Sequence, residues 1–225
     1  MAKFSKPDGT FFTQISSGIY RGKKLALPAL SSTRSTKSIV KGSFFDTWRA
    51  ELRGAAFIEC FGGSGAMALE ALSNGAKNVY AIEKDAAAHK IMRKNFELFG
   101  LGANAILGDC FERLPEILHE LQTDINGRSA VNLSESHTVN FSENSVSDPA
   151  RRVFVYLDPP FAIRQGFGGI YERVLALIAR LGSVQCELLI AIEHMSELEL
   201  PPKIGDFALL KSRKFGATTM SYYAK

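Results

Sequence analysis

The chain has 225 residues, 46% of them hydrophobic and 22% charged, with a formal net charge of +4. That length suits one α/β domain with an appendage rather than two equal domains, and the composition is that of a folded globular protein, neither disordered nor fibrous. No apolar run approaches the ~20 residues a membrane helix needs, and the start, Met1 to Gly9, lacks the apolar segment of a secretion signal, so the cytoplasm is the expected compartment.

The charge is uneven. Residues 1–53 hold ten Lys/Arg against three acids, whereas the remainder holds 17 bases and 20 acids. A basic arm on a mildly acidic body implies a polyanionic partner met at the N-terminal end. Within that arm, 13–25 reads as a short β-ribbon with Gly18 and Gly22 at its turn. Residues 37–50 read as a helix whose stripe of Val40, Phe44 and Trp48 docks on the domain.

From Ala55 onward, short runs rich in Val and Ile alternate with segments of helical period. This is the pattern of a largely parallel sheet covered by helices on both faces. The expected strands are 56–60, 78–82, 103–107, 152–157 and 187–192. The clearest helix follows Asp85, a capping residue, and stops at Gly100; others are expected over 65–73, 111–121 and 168–181. Residues 208–214 and 218–224 flank Phe215-Gly216-Ala217 and read as an antiparallel hairpin. The division is therefore a basic N-terminal extension, 1–53, and a main domain, 54–225. A 28-residue stretch, 123–150, contains six Ser and four Asn where two to six residues would connect a helix to a strand, and is expected to be a disordered insertion.

Cys60, Cys110 and Cys186 are scattered and odd in number, so neither a disulfide framework nor a zinc half-site is expected. The four histidines show no ligand spacing, and no metal is expected.

Chemistry concentrates at strand ends. Glu59-Cys60-Phe61-Gly62-Gly63-Ser64-Gly65 closes the first strand of the main domain and opens a helix, so small residues let the backbone approach a ligand while free N–H groups face it. Glu83, at the end of the next strand, is placed to accept hydrogen bonds from the ribose hydroxyls of an adenosine-containing ligand. Asp109, after the third strand, could meet an adenine amino group. The discriminating motif is Asp158-Pro159-Pro160-Phe161 after the fourth strand. Its two prolines remove N–H donors, leaving the Asp158 carboxylate and the Pro159 carbonyl as a rigid acceptor pair that suits a planar NH₂ group. Phe161 offers a face for a flipped base.

At these residues the chain resembles S-adenosylmethionine-dependent methyltransferases with the seven-stranded Rossmann-like sheet, in the group that methylates amines. Further matches are Gly18-x-x-Arg21-Gly22-Lys23-Lys24-Leu25-x-x-Pro28, Arg34-x-Thr36 and Phe61-Gly62-Gly63-Ser64-Gly65-Ala66-x-x-Leu69-Glu70-Ala71-Leu72-Ser73-x-Gly75-Ala76. With these it resembles the bacterial 16S rRNA guanine-N2 methyltransferase family, small-subunit rRNA methyltransferase D. The resemblance implies methyl transfer from S-adenosylmethionine, leaving S-adenosylhomocysteine, to a guanine N2 amine of 16S rRNA in an assembling small subunit. It implies cofactor contacts from Glu59, Phe61, Gly62, Gly63, Ser64, Gly65, Glu83, Asp109 and Asp158. The catalytic motif is Asp158, Pro159, Pro160 and Phe161, and RNA contacts come from Arg21, Lys23, Lys24, Arg34 and Lys37. The chain departs from the family where Pro gives way to Ser35 and where Arg-Val-Arg-Glu becomes Ile39-Val40-Lys41-Gly42. The alternatives are an adenine-N6 or protein-glutamine methyltransferase using the same pocket, a nucleotide-dependent oxidoreductase, and an RNA-binding assembly factor with a vestigial site.

Overall fold

A computed structural model describes residues 11–28, 34–135, 149–160 and 169–225. A two-stranded antiparallel ribbon, β1 (Phe11–Gln14) and β2 (Lys24–Leu27), precedes helix α1 (Arg34–Leu52). The main domain then alternates: β3 (Ala56–Cys60), α2 (Ala66–Ser73), β4 (Asn78–Glu83), α3 (Ala86–Glu97), β5 (Ala105–Leu107), α4 (Cys110–Glu135), β6 (Arg152–Leu157), α5 (Ile170–Arg180) and β7 (Glu187–Met195). It ends with β8 (Lys203–Ile204), β9 (Phe207–Phe215) and β10 (Thr218–Ala224).

These strands form one sheet in the order β5-β4-β3-β6-β7-β10-β9-β8. β3 to β7 run parallel, and β10 and β9 close the sheet as an antiparallel hairpin, with the two-residue β8 as an eighth strand beyond the seven expected. Every residue of β3 is buried because helices cover both faces, which is why it reads as a continuous apolar run. One face packs Phe44 of α1 with Phe57, Phe154, Tyr156 and Tyr222, joined by Leu69 of α2 and Phe96 of α3. The other packs Ile58, Val155, Leu157 and Ile190 beneath Leu114 and Leu118 of α4 and Val174 and Leu177 of α5.

Phe44 is fully buried in the first of these cores, as the Val40-Phe44-Trp48 stripe implies. A boundary at 53/54 thus separates sequence regions of different charge, yet one core spans it.

The local signals explain most boundaries. Asp85 caps α3 by accepting from Ala88 N at 2.8 Å, and Gly100 follows with φ 72°. β5 starts two residues later than expected because Gly102–Asn104 form a 3₁₀ turn. β7 extends to Met195 because β10 pairs with it as far as Thr218. The start of the segment expected to be a disordered insertion is helical. Residues 123–135 continue α4 as helix, since no proline interrupts the chain between Pro115 and Pro149, and Pro149–Arg151 form a 3₁₀ turn. Residues 136–148 of that segment lie outside the described residues.

Candidate active site

The registers align the predicted residues on one rung at the strands' C-terminal edge. Cys60 pairs with Ile82 on one side and Leu157 on the other, while Leu107 pairs with Glu83. The next positions, Phe61 and Asp158, therefore emerge level with Glu83. β3 is followed in sequence by its neighbour β4, but its other neighbour is β6, so the chain leaves β3 and β6 in opposite directions along the sheet. That divergence opens the crevice in which open α/β sheets hold ligands.

The glycine turn is held from three sides. Phe61 adopts φ 59°, a left-handed conformation uncommon outside glycine, and Gly62 N donates to Ile82 O at 2.8 Å. Gly65 N closes a tight turn on Gly62 O at 2.7 Å. Gly65 has φ 73°, and a Cβ there would collide with the Phe96 ring and come within 3.0 Å of Met92 Cγ. Gly63 differs: its φ is 54° but a Cβ would meet nothing within 4 Å, so the backbone faces open space. Helix α2 begins here without a side-chain cap of its own. Buried Glu59 supplies one, its Oε2 accepting from Ala68 N at 2.8 Å, where a carboxylate also complements the helix dipole.

Glu83 Oε2 accepts from Gly63 N at 2.8 Å and Oε1 from Asp85 N at 2.7 Å. One side chain thus joins the glycine turn to the start of α3. A carboxylate has about four lone-pair sites, so acceptor capacity remains for a ligand hydroxyl. Asp109 lies at the head of α4. Partial burial pushes its carboxyl up, but the hydrogen bond from Lys84 Nζ at 3.0 Å, the Phe111 N–H and the nearby Arg173 outweigh this and hold it below its ordinary value.

Asp158 and the buried Pro159 follow β6, with Pro160 half-buried; Phe161 lies outside the described residues. Behind Asp158 stands a pair that sequence reasoning missed. Buried Tyr156 donates its hydroxyl to Glu193 Oε2 at 2.7 Å, and Glu193 is level with Asp158 through the β6–β7 register. Burial first, then the charges of Glu193, Asp158 and Glu59, push the Tyr156 hydroxyl far above its usual range, so it stays a proton donor. The available signal was a lone acid in the apolar run Leu188–Ile192-Glu193.

The model of the family described as Conserved hypothetical protein 95 matches residues 13–125 and 110–224. The chain belongs to that family. It is 26% identical over 212 residues to ribosomal RNA small subunit methyltransferase D of Escherichia coli, covering 94% of this chain and 89% of that protein. Among solved structures, yhhF of E. coli aligns with a TM-score of 0.65 at 23% identity, covering 95% and 98% of the two chains. Magnesium protoporphyrin IX methyltransferase of Synechocystis, solved with bound S-adenosylmethionine, aligns with a TM-score of 0.52 at 13% identity, covering 85% and 81%. The fold is that of S-adenosylmethionine-dependent methyltransferases, and the expected resemblance to small-subunit rRNA methyltransferase D is borne out.

The basic residues expected to contact RNA lie at two different places in the fold. Residues 18–23, the ribbon's turn, pack at the far ends of α2 and α3. Tyr20 N donates to Ser73 Oγ at 2.9 Å, and Lys23 Nζ donates to Leu98 O at 2.9 Å while lying 4.1 Å from the centre of the Phe99 ring. Both helices run away from the strands' C-terminal edge, so Arg21 and Lys23 lie at the opposite edge from Asp158. Arg34 and Lys37 belong to the first turn of α1, which runs antiparallel to β3, so that turn lies toward the motif edge. The family departures at Ile39 and Gly42 leave the packing intact. Ile39 is 61% exposed and a Cβ at Gly42 would touch nothing, whereas Lys41 keeps a cation at the second arginine position and pairs with buried Glu70 at 2.6 Å. Among the described residues no group of three or more His, Cys, Asp or Glu side chains could hold a metal ion, and no helix is long and apolar enough to cross a membrane.

Proposed function

We propose that this protein transfers a methyl group from S-adenosylmethionine to the exocyclic N2 amine of a guanine in 16S rRNA, within the assembling small ribosomal subunit. The observation that carries the reading is the alignment of the glycine turn, Glu83 and Asp158-Pro159 on one edge at the sheet's switch point. The small-subunit rRNA methyltransferase named above supports the substrate class.

The residues fit the cofactor. At Gly63 a Cβ would meet nothing within 4 Å, so the backbone there leaves room for a ligand to approach closely. Glu83, fixed by two backbone N–H groups, retains acceptors for ribose hydroxyls, and Asp109 stays ionised to accept from an adenine amine. When bound, S-adenosylmethionine supplies an electrophilic methyl group on its sulfonium sulfur.

The protein's part is to prepare the amine. The lone pair of guanine N2 is delocalised into the ring, so the nitrogen is a poor nucleophile. Asp158 and the Pro159 carbonyl accept hydrogen bonds from its two protons, favouring a pyramidal nitrogen with its lone pair aimed at the methyl. After transfer the nitrogen is acidic and gives its proton to Asp158 or to water. Positioning and electrostatics, rather than a strong base, supply the rate. Tyr156 and Glu193 are placed to fix the floor beneath the Asp158 loop.

Immature small subunits with labelled S-adenosylmethionine test this, using naked rRNA, DNA and protein as controls and nucleoside mass spectrometry of the product. The expected product is N2-methylguanine. Asp158→Ala should lose roughly two to four orders of magnitude in methyl transfer, the scale of lost positioned electrostatic contacts, with a far smaller loss of cofactor affinity. Asp158→Asn, which keeps one acceptor oxygen, should retain partial activity. N6-methyladenine as product would reassign the base, and an Ala variant as active as wild type would remove Asp158 from the mechanism.

A further inference from the structure

We propose that the C-terminal end of β9 presents Arg213 and Lys214 as phosphate contacts for the RNA strand that carries the target base. This inference rests on the rRNA reading above and names a surface of the C-terminal hairpin, apart from the basic N-terminal arm.

Strand register places this surface. Leu157 pairs with Ile192, Ile192 with Ser221 and Ser221 with Ser212. One position further, Asp158 is level with Glu193, Met220 and Arg213; one more, Pro159 is level with His194, Thr219 and Lys214. Three strand spacings of ~4.8 Å separate β6 from β9, about 14 Å along the same edge. At ~3.4 Å per stacked nucleotide that is about four nucleotides from the base held at Asp158. The hairpin turn at Phe215–Thr218 lies on this edge as well, beside Met195.

Both side chains are exposed, and among the described residues no carboxylate lies within ion-pair distance of either. Arg213 Nη1 donates to Ser43 Oγ of α1 at 3.2 Å, which steadies the guanidinium on the α1 side of the strand and leaves its other donors open. Lys211 is occupied differently, its ammonium lying 4.4 Å from the centre of the Trp48 ring. Residues 207–225 contain four Lys/Arg and no acid, in a region of the chain that is otherwise net acidic. The contrast with the ribbon is direct. Its turn lies at the opposite edge from the motif, and Lys23 is engaged by Leu98 O and the Phe99 ring.

The test measures affinity for immature small subunits as a function of KCl concentration for three variants. These are Arg213→Gln/Lys214→Gln, the charge-preserving Arg213→Lys/Lys214→Arg, and Arg21→Gln/Lys23→Gln/Lys24→Gln. Cofactor affinity by calorimetry and melting temperature accompany each. Removing two phosphate contacts should lower the slope of log affinity against log salt by about 1.4–1.8 and weaken binding at least tenfold at ~0.1 M salt. Cofactor affinity should not change, the charge-preserving variant should keep the wild-type slope, and the ribbon variant should lose less slope than the β9 variant. A wild-type slope in the Gln double variant overturns the proposal, as does an equal loss in the charge-preserving variant, which would make the role structural. Wild-type protein that neither binds nor methylates the subunits would instead defeat the rRNA reading itself, a failure visible before any variant is compared.

Discussion

Glu83 ties two backbone N–H groups, of Gly63 and Asp85, while offering its remaining lone pairs to the crevice. Removing it would loosen the turn and, on the proposed function, cost a cofactor contact. Glu83→Ala should therefore weaken S-adenosylmethionine binding by about 1–3 kcal/mol, the value of charge-assisted hydrogen bonds lost, with unchanged calorimetric affinity in a folded variant as the contrary result. The two glycines of the turn separate the same effects. Both substitutions strain a positive φ, but Gly65→Ala also drives a methyl into Phe96 and should lower the melting temperature more, whereas the methyl of Gly63→Ala meets no protein atom within 4 Å and should add a loss of cofactor affinity. Thermal melts with and without cofactor would distinguish them. The residues of the turn were legible because a ligand-facing loop needs small side chains whatever surrounds it. The Tyr156–Glu193 pair was not, since neither residue belongs to a motif and only the β6–β7 register brings them together.

At the scale of elements, the N-terminal ribbon and α1 are joined to the domain through one buried carboxylate. Glu70 of α2, fully buried, accepts from the backbone N–H groups of Ser16 and Ser17, from both their hydroxyls, and from Lys41 Nζ at 2.6 Å. Burial pushes the Glu70 carboxyl up, but Lys41 and Ser16 outweigh it and hold it below its ordinary value. Asn95 of α3 makes a second tie, pairing with Ala26 N and O of β2 and donating to Ser64 O in the glycine turn, each at 2.9 Å. Glu70→Ala would leave the backbone N–H groups of Ser16 and Ser17 without their acceptor and Lys41 Nζ with only Gln14 O, so a loss of about 2–4 kcal/mol in urea unfolding is expected. A change below ~1 kcal/mol would show that the ribbon contributes little to the fold. The strands and helices of the main domain could be read because their signals are local: Asp85 caps, Gly100 stops, and Val/Ile runs mark buried strands. The docking of the ribbon could not, because its partners lie more than 50 residues away in sequence. For the same reason the charge count placed Arg21 and Lys23 near a polyanion without revealing that their turn sits at the far ends of α2 and α3.

The molecule as a whole carries groups that are neutral or paired only while it is folded, and they fix how stability follows pH. Buried His194 sits between Met195 O, 2.9 Å from Nδ1, and Ser221 Oγ, 2.8 Å from Nε2; a carbonyl can only accept, so Nδ1 bears the proton and Nε2 accepts from Ser221. Burial holds the imidazole below its ordinary value of 6.5, although the Met195 and Leu198 backbone contacts act against it. Below pH 6.5 the unfolded chain therefore binds a proton that the folded chain refuses, and stability falls as pH falls through that window. Glu70 acts lower. Its folded value lies below 4.5, so its contribution is complete above pH 4.5 and is lost as acid protonates it. Two steps are expected in urea unfolding free energy, a first decline that begins as pH falls below about 6.5 and a second below about 4.5. His194→Gln, which can still hydrogen-bond to both neighbours but cannot take a proton, should flatten the first step and leave the second. An identical pH 7 to pH 5 difference in wild type and variant would show that other groups set the upper part of the acid profile.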